Sequence, residues 1–158
     1  MLTPNFSVQY LLDCDDTNYG CDGGWMTDAY LWTIDHGVIL ESDYGKPYRR
    51  KAEKCSAKSS SPRFYNDGAN EEATVTNQRL KEIVTQQPVG AAYHSVLKCM
   101  DFYKSGTLMP DDCHTDCSNP DKREVNHAIT IVGYGKSERK GCDEYWLIKN
   151  SWGTTWGE

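Results

Sequence analysis

Two consecutive runs near the end of the chain constrain its fold more than any other feature. HAITIVGYG (127–135) and EYWLIKNS (144–151) are dense in β-branched and aromatic residues and are bounded by polar loops, the composition of strands. With only residues 136–144 to connect them, the two runs are expected to pair antiparallel. His127 opens the first run and Asn150 closes the second. Such a hairpin carries both residues to one end, where an amide oxygen on Asn150 can accept a hydrogen bond from the imidazole and fix its tautomer.

VGAAYHS (89–95) reads as a further strand. Earlier in the chain the period changes. Apolar positions recur near the helical spacing in residues 6–13 and 25–36, and Gly37 stands where a helix-ending glycine belongs. Residues 77–86 predict a third helix, capped by Asn77 and stopped by Pro88. Between Cys14 and Gly24 lies a loop rich in Asp, Gly and Asn. Segment 43–68 has no period and reads as a long surface connection between two lobes. Helix-like segments thus come first, and strand-like runs dominate afterwards.

A length of 158 residues suits one ordinary domain or two small lobes. The net charge of −6 comes from acids scattered along the chain, with no basic stripe for a phosphate backbone, which argues against nucleic acid as a partner. No run approaches the roughly 18 apolar residues of a membrane span, so no membrane partner is expected. The opening residues lack the charged and apolar regions of a secretory signal. Seven cysteines nonetheless suit a lysosomal or extracellular protein better than a cytosolic one. The simplest resolution is that an N-terminal stretch is absent from the sequence.

A lone histidine beside a strand is usually structural or merely exposed. Here four blocks stand in order: LLDCDDTNYGCDGG, NQRLKEIVTQQPVGAAY, VNHAITIVGYG and LIKNSWGTTWGE. Through them the sequence resembles the papain family of cathepsin-like cysteine peptidases over essentially its whole length. The resemblance implies a papain-like two-lobe α+β fold, incomplete at both ends. A helical lobe and connection would occupy about residues 1–60, and an antiparallel β-barrel-like lobe about 61–158. It implies a cysteine endopeptidase that hydrolyses peptide bonds in proteins, needing no cofactor, monomeric when complete. Protein or peptide substrates and cystatin-like inhibitors are its candidate partners.

The resemblance also implies residue roles. His127 matches the catalytic histidine and Asn150 the asparagine that orients it. Trp152 matches the indole shielding that pair, and Trp156 a second tryptophan near the primed side of the cleft. Gly23 and Gly24 match glycines whose bare backbone lets a substrate chain bind in strand fashion. Asn126 matches the residue whose main-chain carbonyl meets the substrate near the scissile bond. Trp25, Met26, Ala92 and Val125 match the lining of the specificity pocket. All four are apolar, so a hydrophobic side chain two residues before the scissile bond is expected; core packing is the plain alternative for Trp25 and Met26.

In the family the nucleophile lies in a CG[SA]C[WY] motif about 130–150 residues before the histidine. Counted back from His127, that position falls ahead of residue 1. As written, the chain is expected to be inactive. The alternative function is an inactive homologue that binds peptides or inhibitors. The resemblance implies a Cys14–Cys55 disulfide. It leaves Cys21 and Cys113 without partners and says nothing of Cys99, Cys117 and Cys142, one of which is a candidate to bridge the loop they sit in. Cys113, His114, Cys117 and His127 carry zinc-type donors, but the CHTDC arrangement lacks a known finger spacing. Asp13, Asp15, Asp16 and Asp22 do not follow a calcium loop and read as a solvated acidic loop. No metal is expected.

Overall fold

The structure is a computed structural model that describes residues 4–93, 95, 98–109 and 125–158. The chain divides into two compact units, Met1–Ala73 and Thr74–Glu158.

In the first unit, α1 (Val8–Cys14) starts where the Ser7 hydroxyl accepts the Tyr10 N–H at 3.0 Å, satisfying a donor that the first turn leaves open. α2 (Met26–His36) stops at Gly37, whose φ of 67° is a conformation that favours glycine. A Cβ there would come within 3.0 Å of the Arg63 Cβ and 3.2 Å of the Phe64 carbonyl. That closeness lets Val38 exchange backbone hydrogen bonds of 2.7 and 2.9 Å with Phe64. α3 (Glu41–Tyr44) is a single turn. Tyr10, Trp32, Ile39 and Tyr44 form the buried core, with Leu11, Cys14 and Ala57 packed against it.

Segment 43–68 falls wholly within this first unit. Side chains of α1 hold its residues 46–53. Gln9 donates to the Lys51 carbonyl at 2.8 Å and accepts the Arg49 N–H at 2.8 Å. The Asp13 carboxylate, whose side chain is fully buried, accepts from the Tyr44 hydroxyl at 2.6 Å, Gln9 at 2.7 Å, the Glu53 N–H at 2.8 Å and Lys46 at 3.2 Å. Burial pulls this carboxyl upward, but the hydrogen bonds from Tyr44, Glu53, Gln9 and Lys46 outweigh it and hold its pKa below the ordinary value. The Cys14–Cys55 disulfide closes the same segment. The acidic loop expected around Asp13 is therefore a buried anchor at that residue.

In the second unit, α4 (Asn77–Gln86) has the bounds the sequence indicates, but its cap is Thr76, whose hydroxyl accepts the Arg79 N–H at 3.1 Å. Asn77 is the first helical residue instead. The sheet runs β1 (Val89–Tyr93), β2 (His127–Lys136), β3 (Glu144–Lys149), antiparallel in that order. Val84 of α4 is buried with Ile129 and Ile131 of β2, and Leu80, Val89, Ala91, Tyr93 and Trp146 pack around them. α5 (Lys98–Asp101) is a short turn. A register shift between Ile131 and Gly133 marks a bulge in β2.

Candidate active site

The hairpin brings His127 and Asn150 together as expected. β2 begins at His127 and β3 ends one residue before Asn150, so an antiparallel pair places them at one edge of the sheet. His127 Nε2 lies 2.9 Å from Asn150 Oδ1. The Ser151 N–H donates to the same oxygen at 2.8 Å. A donor on that side requires the amide oxygen, not its nitrogen, to face inward. Nε2 must then carry the proton and donate it, which leaves Nδ1 as the nitrogen available for proton transfer.

Aromatic rings complete the surroundings. Trp152 lies 5.1 Å from the imidazole at a tilt of 35°, and Trp156 meets Trp152 edge to face at 5.3 Å. Both tryptophans are half-buried. Trp156 is fixed in turn. Its indole N–H donates to the Met100 carbonyl at 2.6 Å, and Tyr103 packs on it at 5.2 Å. The Gly157 N–H donates to the Tyr103 carbonyl at 3.2 Å and Lys104 to the Thr155 carbonyl at 2.9 Å. Residues 100–106 thus hold the tail that carries both indoles. Upstream of His127, Asn126 and Val125 are exposed, and Ala92 on β1 is half-buried.

The remaining candidates belong to the first unit. Gly23 and Gly24 have φ of 112° and 156°, and a Cβ on Gly24 would collide with Asn18. Asn18 organises this loop. Its Oδ1 accepts the Trp25 N–H at 2.6 Å and its Nδ2 donates to Asp15 at 2.8 Å. Asp15 also accepts from the Thr17 hydroxyl and N–H at 2.6 and 2.9 Å. Burial raises its pKa less than these Thr17 and Asn18 bonds lower it. Trp25 is 54% exposed, which is not core packing, while Met26 is half-buried at the start of α2.

Comparison with known proteins bears on this pattern directly. The family described as papain family cysteine protease matches residues 2–158. The chain belongs to the papain family. It is 40% identical over 154 residues to cysteine protease Amb a 11.0101 of Ambrosia artemisiifolia, covering 97% of this chain and 36% of that protein. It is 32% identical over 154 residues to zingipain-2 of Zingiber officinale, covering 98% and 64% respectively. The crystal structure of the Carica candamarcensis cysteine protease CMS1MS2 in complex with E-64 superposes with a TM-score of 0.79 at 31% identity. That match covers 99% of this chain and 66% of the other. The chain thus spans about a third to two thirds of the length of these papain-family relatives, and its fold is papain-like α+β.

The disulfide expected from the papain family is formed, with Cα atoms 4.8 Å apart. Cys21 is free and exposed. Cys142 is also free and bridges nothing; its thiol donates to the Glu144 carbonyl at 3.1 Å. The Cys99 side chain, Cys113, His114 and Cys117 lie outside the described residues. Among the described residues no group of three or more His, Cys, Asp or Glu could hold a metal, and Asn150 occupies His127 Nε2. Sequence reasoning missed Ser151 and Asn18, and read Asp15 only as part of a solvated acidic loop. Their only sequence signal is position: a donor next to Asn150, and side chains that favour turns beside two glycines.

Proposed function

We propose that this chain carries the proton-transfer half and the substrate-binding residues of a papain-type cysteine endopeptidase. The observation that carries the reading is the 2.9 Å bond from His127 Nε2 to an Asn150 oxygen whose orientation the Ser151 N–H sets. A histidine bound in this way presents Nδ1 to a thiol. Nδ1 takes the thiol proton, giving a thiolate and an imidazolium. The thiolate attacks the peptide carbonyl, Nδ1 protonates the leaving amine, and water then hydrolyses the thioester with the same nitrogen as base. Asn150 suits this cycle because it is neutral. It orients the ring without a full negative charge that would pin the proton on it.

In this reading Trp152 screens the pair from water and Trp156 shapes the adjoining end of the cleft. The Asn126 carbonyl of the second unit hydrogen-bonds substrate near the scissile bond, and Gly23 and Gly24 of the first unit bind an extended chain in strand fashion. Trp25 and Met26 of the first unit, and Ala92 and Val125 of the second, are the apolar residues that favour a hydrophobic side chain two residues before the scissile bond. Protein substrates and cystatin-like inhibitors are the partners, in a lysosomal or extracellular setting consistent with the disulfide. The test is peptidase activity of the protein isolated from its own source, against peptides that vary the residue two before the cleavage point. A His127→Ala change in the same coding sequence should cut activity about a thousandfold. Undiminished cleavage by that variant rejects the reading, and a preference for Arg or Asp at the varied position rejects the apolar pocket.

A further inference from the structure

We propose that Tyr93 is a positioning residue for His127, which restricts the imidazole to the orientation in which Nε2 meets Asn150. Its catalytic meaning rests on the reading of His127 as the proton-transfer group. Tyr93 ends β1 and lies opposite His127 in the ladder, so both side chains rise on the same face of the sheet. The two rings meet edge to face at 5.6 Å and 67°. β1 and β3 flank β2 on opposite sides. The imidazole therefore touches one aromatic ring from the β1 side and another, Trp152, from the turn after β3. The backbone adds a clamp. The Asn126 N–H donates to the Tyr93 carbonyl at 3.1 Å, and the Asn126 side-chain oxygen accepts the Ser95 N–H at 2.8 Å. The residue before His127 is thus tied to the strand end that carries Tyr93.

The role belongs to the ring and not to its hydroxyl. Tyr93 packs against the Val84, Ile129 and Ile131 cluster, yet its buried oxygen has no hydrogen-bond partner among the described residues. Burial, then the charge of Asp101, push its pKa up. Phenylalanine would fill the same volume without stranding a polar atom. Asn150 Nδ2 beside the same histidine is likewise without a partner among the described residues, as is Asn66 Oδ1 in the first unit.

The test is 15N NMR of the His127 ring in the full chain, the signal assigned by its loss in His127→Gln, for Tyr93→Phe, Tyr93→Leu and Tyr93→Met. The unaltered protein should show the Nε2–H tautomer with a slowly exchanging proton. Tyr93→Phe should keep that signature with an equal or higher melting temperature. Tyr93→Leu should speed exchange of the Nε2 proton by about tenfold or more. If leucine unfolds the unit, Tyr93→Met reads loss of the ring at similar volume. In active peptidase Tyr93→Leu should lower kcat with KM unchanged. An unaltered His127 signature in both the Leu and Met variants, whatever their melting temperature, makes Tyr93 a packing residue only and overturns the proposal. Because the NMR signature needs no turnover, an active His127→Ala protein would reject the catalytic reading separately.

Discussion

Asn150 joins the chemistry to the fold through a single oxygen. Asn150→Ala removes the acceptor for both His127 and Ser151 and should lower kcat about 100-fold in active enzyme with little change in KM, as steady-state assays would show. Asp13 acts on stability instead. Its folded pKa is depressed, so its contribution is present above the unfolded value of about 3.9 and disappears as pH falls through the folded value. Asp13→Ala should cost about 3 kcal/mol at pH 7 in urea melts, with the gap to the parent protein narrowing below pH ~4. The two residues were unequally legible in the sequence. His127 and Asn150 stand at the ends of strand-like runs, so strand pairing alone placed them. Asp13 sits in an acidic stretch that resembles a solvated loop, and its burial depends on Tyr44, Lys46 and Glu53, residues 31 to 40 positions away.

α4 illustrates how a boundary can be read correctly for an incomplete reason. Asn77 and Thr76 are both good caps, and only the backbone of Thr76, extended at ψ 156°, decides between them. Thr76→Ala should destabilise the second unit by about 1 kcal/mol in thermal melts, whereas Asn77→Ala should change little. At the end of α2, Gly37 was legible because its role is conformational. Gly37→Ala would both force a side chain into positive φ and press on Arg63 and Phe64, and should cost about 2 kcal/mol by the same measure. Segment 43–68 was not legible. Part of its order comes from hydrogen bonds by Gln9 and Asp13 to its backbone, which leave no period in its own sequence.

Across the molecule, each unit has its own core and its own share of the candidate residues. Reducing Cys14–Cys55, which closes a separation of 41 residues, should remove about 4 kcal/mol in the chain-entropy account. Hydrogen exchange should then rise in α1 and residues 46–55, and equal protection with and without reductant would contradict it. α1 to α3 lie in the first unit, and α4 with the three strands in the second. Tyr93, Asn126, Asn150, Ser151 and Trp152 lie with His127 within Thr74–Glu158, and Asn18 with the glycine loop lies before it. Genetic recombination at residues 73 and 74 would therefore exchange the glycine loop of one lineage for that of another, leaving the histidine and these neighbours inherited as a single block.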